Sequence, residues 1–136
     1  MRFSKYKGFK FIFLFMVLAA SIEGVAQANS NNRDVHKRLE GSWLLMGQNS
    51  DSLFLERNLG GNFNLGHKFE LNWDGTFFDI YSAGCGNDPN IHNYEGAWRL
   101  DTAKMILTTS FQGSLNINFY KIIKLTDHNL VLVKVG

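Results

Sequence analysis

The feature that most constrains the fold is a succession of short runs rich in β-branched, aromatic and aliphatic residues. Turn-forming residues such as Asp74-Gly75 and Gln112-Gly113 separate the runs. Seven runs are evident: Gly41–Gln48, His67–Asn72, Thr76–Ser82, Tyr94–Leu100, Lys104–Phe111, Ser114–Leu125 and Asn129–Val135. We expect Ser52–Arg57 to supply another strand. Because the connections are too short for parallel crossovers, the sequence predicts an all-β, antiparallel, up-and-down meander barrel of about eight strands.

Closure of the sheet protects the strand edges, since an open sheet would present unpaired backbone groups to other chains. A barrel of about eight strands has an interior that side chains fill or that holds one small ligand. The sequence leaves both alternatives open.

The turn at Asp74-Gly75 fixes which residues of one hairpin face inward. A two-residue turn would place Glu70 opposite Asp79, which are like charges. A three-residue loop with Gly75 in the left-handed conformation avoids this clash. It pairs Leu71 with Phe77, Phe69 with Asp79, and His67 with Tyr81. We predict the second register, with one apolar inner face that becomes polar towards one end.

The N-terminal segment has the order of a secretory signal peptide: basic residues, the apolar stretch Phe11–Ala20, and the small residues of Ala26-Gln27-Ala28. An apolar core of about ten residues is half of what spans a bilayer, so no retained membrane anchor is expected. The predicted organisation is a signal peptide at 1–28, a tether and helical turn at 29–38, and a β-barrel domain at 39–136. The product is expected to be exported, either periplasmic or extracellular.

The charge balance changes when the leader is removed. Ten basic and eleven acidic residues then remain. A basic stripe interleaved with aromatic residues is missing from the sequence, which argues against nucleic-acid binding. Cys85 is the one cysteine, so an intrachain disulfide cannot form.

A repeated signature, E-G-[S/A]-W-x-L, occurs at Glu40–Leu45 and again at Glu95–Leu100. We expect each copy to begin a strand, with glycine allowing close approach of the backbone and tryptophan filling one barrel end. Gly41-Ser42-Trp43 resembles the G-x-W motif of lipocalins. The region from Leu39 onwards resembles short lipocalin-like domains of exported bacterial proteins, in the phrases LEGSW, KFELNWDGTF, YEGAWRLD, MILTT and YKIIKLTDHNLVLVKV. The T-D-x-Y motif is not found, and no basic residue can be assigned to cover Trp43.

The resemblance implies a barrel that holds a small apolar molecule, with Trp43 as a structural plug; Gly41, Gly96 and Trp98 complete the predicted plug. The candidate ligand-binding residues share a predicted inward position: Phe69, Leu71, Phe77, Tyr81, Trp98 and Phe119. The alternative is that these residues are ordinary core. Asp79, His67 and Tyr81 either orient a ligand head group or are solvated rim residues, and we favour the rim.

The sequence offers little support for catalysis or metal binding. Cys85, Asp88 and His92 form the one candidate metal group, but their spacing fits no established zinc pattern. Neither a nucleophile elbow nor a phosphate-binding loop occurs. The segment Leu59–Gly66 is interpreted as a long connection rather than a lid. We therefore expect no metal, no cofactor and no enzymatic activity.

Two functional classes remain. The first is a carrier or sensor for a small hydrophobic molecule, and the second is a protein-interaction module such as an inhibitor or envelope accessory factor. A carrier needs an unfilled apolar interior, whereas an interaction module has a packed interior and an exposed apolar patch. The sequence favours the carrier and leaves the oligomeric state undetermined.

Overall fold

A computed structural model describes residues 31–61, 63–83 and 91–136. The predicted signal peptide at 1–28 lies outside the described residues, as do Cys85 and Asp88. The described residues belong to two units: residues 31–34, which are helical and exposed, and the compact unit Val35–Gly136. Across these described ranges, no helix has both the length and the apolar character needed to cross a membrane.

Residues 31–39 are helical, in agreement with the predicted helical turn. Eight strands follow: β1 (Gly41–Gln48), β2 (Ser52–Arg57), β3 (Gly66–Leu71), β4 (Thr76–Ser82), β5 (Ile91–Asp101), β6 (Ile106–Phe111), β7 (Ile117–Leu125) and β8 (Asn129–Lys134). The run Ser52–Arg57, which was expected to supply a further strand, is strand β2.

The strands form a closed barrel in the order β1-β2-β8-β7-β6-β5-β4-β3, and all neighbours pair in antiparallel fashion. The predicted all-β, up-and-down barrel of eight strands is therefore confirmed. Strands β3 to β8 form a consecutive meander, and the β1–β2 hairpin completes the circle with β1 beside β3 and β2 beside β8. Every strand is consequently paired on both sides, which is the benefit expected from closure.

The β3–β4 hairpin has the predicted register. Leu71 pairs with Phe77, Phe69 with Asp79, and His67 with Tyr81. The turn that sets this register contains Gly75, whose φ is 85°. It also contains Asp74, whose carboxylate accepts hydrogen bonds from the Thr76 hydroxyl at 2.7 Å and from the Thr76 N–H at 2.9 Å. These bonds stabilise the charged form, so the pKa of Asp74 is lowered.

The connection between β2 and β3 lies against the outer surface of the barrel. The Phe63 ring lies 5.5 Å from Lys68 Nζ, and the Ser82 hydroxyl donates to the Asn64 carbonyl at 3.0 Å. Lys68 and Ser82 face outward because their neighbours in each strand face the interior. The described part of Leu59–Gly66 therefore supports the interpretation as a connection rather than a lid.

Candidate functional site

The barrel interior contains a cavity of about 130 Å³. It is lined by the inner faces of β1 to β4 and β6 to β8. The apolar lining consists of Trp43, Leu53, Leu55, Phe69, Leu71, Phe77, Leu107, Phe111, Leu130 and Leu132. The polar lining consists of Asp79, Thr109, Asn118 and Tyr120. A mostly apolar surface with a few converging polar groups is the usual composition of a small-molecule site.

The two tryptophans of the repeated signature lie at one end of the barrel, together with His36 and Leu39 of the helical segment. Trp43 is fully buried, and its Nε1–H donates to the carbonyl of the equally buried Leu39 at 2.8 Å. Trp98 donates its Nε1–H to the Asn72 carbonyl at 2.9 Å. Its ring centroid lies 4.6 Å from that of His36. Both indole N–H groups have hydrogen-bond acceptors, which allows these large side chains to be buried. We call this end of the barrel, which Trp43 and Trp98 fill, the closed end.

Arg57 covers the Trp43 ring, with its guanidinium carbon 4.2 Å from the ring centroid. The same guanidinium donates to the carbonyls of Glu40 at 2.8 Å, Asp127 at 2.6 Å and Arg38. Two of these carbonyls lie at the end of the helix, where acceptors lack partners within the helix. Arg57 reaches this position through the pairing of β1 with β2, which is why the sequence alone did not assign a basic residue there.

The two signature glycines meet different steric demands. Gly41 has a φ of 118°, and a Cβ placed there would lie 2.7 Å from Arg57 Nη1. At Gly96, a Cβ would lie 1.9 Å from the backbone oxygen of Ser110 on the neighbouring strand. The expectation that both copies begin a strand holds for Gly41 but is wrong for Gly96, because β5 already begins at Ile91.

Asp79 is the charged residue in the cavity lining. Its Oδ1 lies 3.0 Å from His67 Nδ1, and the side chains of Asp79 and His67 are 18% and 40% exposed. Asp79 therefore lines the cavity and is mostly buried, whereas His67 is more exposed to solvent. Burial raises the pKa of Tyr120, and the negative charge of Asp79 raises it further. The carboxylate of Asp79 thus acts electrostatically on Tyr120, which also lines the cavity.

Aromatic side chains surround Asp79 on the inner face of β3 to β6. Asp79 pairs with Phe69 on one side and Tyr94 on the other. Successive ring centroids, 4.6 to 6.5 Å apart, form a closed sequence that we call the aromatic frame: His67, Phe69, Phe77, Phe111, Tyr94, His92, Tyr81 and back to His67. By strand register, Asp79 consequently lies within this frame, between Phe69 and Tyr94.

The predicted ligand-binding residues are distributed over the interior. Phe69, Leu71 and Phe77 line the cavity. Tyr81 lies on the same inner face, with its ring centroid 4.6 Å from that of His67. Trp98 is buried at the closed end, apart from the cavity lining. Contact of these residues with a ligand stays a prediction.

The predicted inward position of Phe119 is wrong. Its side chain is 44% exposed, and the neighbouring Asn118 and Tyr120 face the cavity instead. The cause is the pairing of β7 with β6, in which Tyr120 lies opposite the buried Leu107. The sequence analysis missed Asn118 and Tyr120 as site residues. Apolar side chains occur at both odd-numbered and even-numbered positions of β7, so the sequence shows no clear alternation of inward and outward residues.

The candidate metal group is described only at His92, on β5. In the described part of the chain, no group of three or more His, Cys, Asp or Glu side chains is arranged to hold a metal ion. His92 instead takes part in the aromatic frame, with its ring centroid 6.3 Å from that of Tyr81.

Comparison with models of protein families, with curated proteins and with solved structures gave no match. The geometry of the barrel and its interior is therefore the basis for a functional assignment. That geometry is compatible with a lipocalin-like fold.

Proposed function

We propose that this protein binds a small, predominantly apolar molecule inside the barrel, without transforming it chemically. The observation that carries the proposal is the interior cavity of about 130 Å³, lined mainly by leucine and aromatic side chains. Burial of apolar ligand surface supplies the driving force, and the few polar groups orient the ligand. A completely packed interior would have favoured the interaction module instead.

The cavity volume limits the size of the ligand. An engineered apolar cavity of about 150 Å³ in another protein holds benzene. Sites for drug-sized molecules typically measure about 300–1,000 Å³. With about 130 Å³ available, the proposed ligand has roughly the bulk of benzene, or else inserts only a short apolar group.

Isothermal titration calorimetry with benzene tests this proposal when a cavity-filling variant is included. Leu132 lines the cavity, whereas the adjacent Val133 faces outward on the same strand. We expect saturable binding to the wild type, reduced binding to Leu132→Phe and unchanged binding to Val133→Phe. Both variants should first be shown to retain the wild-type circular dichroism spectrum. No binding by the wild type, or equal binding by both variants, would contradict the proposal.

A second candidate function, a protein-interaction module, is favoured by apolar side chains on the outer surface. Phe54, Phe119 and Ile123 are 43%, 44% and 60% exposed, on β2 and β7. Strand β8 separates these two strands and presents Val131 opposite Phe54. If this surface carries the function, Phe119→Ser with Ile123→Ser should reduce association with a partner or between copies in sedimentation experiments, while benzene binding is unchanged.

The resemblance to short lipocalin-like domains and the signal-peptide pattern of the leader are consistent with a binding protein that acts outside the cytoplasm. Export and membership of the lipocalin-like group are parts of the proposal. N-terminal sequencing of the protein secreted by its host tests export, since cleavage after Ala28 would leave Asn29 as the first residue.

A further inference from the structure

The interior site combines a carboxylate with a frame of seven ring-bearing side chains. Asp79 lies within the aromatic frame, and the ring centroids of Phe69 and Phe77 are 5.8 Å apart beside it. Tyr94 and Phe111 continue the frame on the opposite side at 6.2 Å. Since Asp79 lines the cavity together with Phe69, Phe77 and Phe111, a molecule there would contact both the carboxylate and these three rings of the frame.

The physical chemistry of these groups selects for positive charge. The face of an aromatic ring carries negative electrostatic potential, and rings arranged around one point attract an organic cation. A carboxylate at that point adds a full negative charge in surroundings that water screens only partly. An anionic head group would be repelled by the same arrangement.

The carboxylate is accessible to such a ligand. Its Oδ1 is 3.0 Å from His67 Nδ1, whereas Oδ2 has no hydrogen-bond partner among the residues that the structure describes. The side chain retains 18% exposure, and the frame is open on the side of Tyr94, which is 55% exposed. Asp79 can therefore receive a cation without first losing its contact to His67.

We propose that the ligand of this site is a small organic cation, an alkylammonium whose charged nitrogen lies at Asp79 within the aromatic frame and whose alkyl part enters the apolar cavity. This inference rests on the proposed function and specifies its ligand class. The cavity volume of about 130 Å³ restricts the ligand to a short alkyl chain or a few methyl groups.

Calorimetric titration of the protein with choline and with neohexanol tests the inference. Neohexanol is the neutral isostere of choline in which a quaternary carbon replaces the nitrogen, so the pair isolates the contribution of charge. We expect choline to bind about tenfold or more tightly than neohexanol, because cation–π contacts and a carboxylate together contribute roughly 1.4 kcal/mol or more. The anion tert-butylacetate, of similar shape, should bind more weakly than both.

Variants show whether the selectivity comes from this site. Asp79→Asn should remove the preference for choline, whereas Asp127→Asn, at an exposed turn, should preserve it. Tyr94→Leu should weaken choline binding about threefold or more and leave neohexanol binding unchanged, since only the cation uses the ring face. Phe119→Leu is the matched control, because Phe119 lies on the outer surface.

The outcomes separate the two proposals. Selective choline binding that depends on Asp79 and Tyr94 supports the cation inference. Equal affinity for choline and neohexanol overturns it and leaves interior binding intact. If neither compound binds although benzene does, the cation inference is overturned and interior binding stands; if benzene does not bind either, the proposed function is overturned as well. Tyr94→Leu keeps the test decisive if Asp79→Asn does not fold, because Tyr94 is 55% exposed.

Discussion

Arg57 connects three parts of the closed end through one side chain. It covers the ring of the buried Trp43 and donates to backbone carbonyls of the helix end and of the β7–β8 turn. A planar guanidinium suits this task because it offers several donors in a fixed geometry while its face contacts an aromatic ring.

Replacing Arg57 with methionine should destabilise the protein by about 1–3 kcal/mol, because the carbonyls lose a charged donor. Arg57→Lys should recover only part of this loss, since an ammonium cannot reproduce the fork of donors. The matched control is Arg99→Met on the exposed face of β5, for which we expect a change within about 0.5 kcal/mol. Urea unfolding measures all three. Equal effects of Arg57→Met and Arg99→Met would contradict the structural role of Arg57.

Tyr120 reports the electrostatics of the cavity. Burial and the charge of Asp79 raise its pKa above the usual value of about 10. Its contribution to stability is therefore present below about pH 10 and is lost as the pH rises through the folded-state value. In an alkaline absorbance titration, Tyr120→Phe should remove a late-titrating tyrosine. Asp79→Asn should lower the pKa of Tyr120 only part of the way to its usual value, because burial, which the substitution leaves in place, is the larger cause of the shift. An unchanged titration of Tyr120→Phe would refute this prediction.

How well the sequence predicts the inward face of a strand depends on the turn beside it and on how regularly apolar and polar residues alternate along it. The β3–β4 register followed from the turn around Gly75 and from the repulsion that the alternative would create between Glu70 and Asp79. Strand β7 offered no comparable constraint, since Ile117 and Phe119 are apolar at one parity and Tyr120 and Ile122 at the other. A register shift between Ile122 and Lys124 interrupts the alternation further, so long-range pairing decides which side faces inward.

The contact between β5 and β6 depends on Gly96. A methyl group at this position would overlap the Ser110 backbone oxygen, which a side-chain rotation cannot relieve. Gly96→Ala should therefore destabilise the protein by about 1–3 kcal/mol, the usual range for overpacking. Gly47→Ala is a suitable control, because its Cβ would lie at an ordinary 3.9 Å from the Phe54 ring. Similar urea-unfolding midpoints for the two variants would contradict the predicted steric conflict.

For the whole molecule, the sequence predicted the number of strands and barrel closure but not the position of the β1–β2 hairpin. That position depends on pairings between distant segments, β1 with β3 and β2 with β8. The sequence could not predict the cavity either. Its volume is the difference between the space that the closed sheet encloses and the summed volume of all inward side chains. Asp79 was considered as a site residue, yet its position facing the cavity required the assembled barrel.

The most direct test of binding within the barrel is a titration of the protein with benzene, followed in assigned methyl NMR spectra. Leu55, Leu107 and Leu132 line the cavity, whereas Ile123 is 60% exposed on the outside. Binding in the cavity predicts saturable shifts for the three leucines and none for Ile123. Shifts confined to outer-surface methyl groups, or no saturable shifts at all, would contradict the interior site.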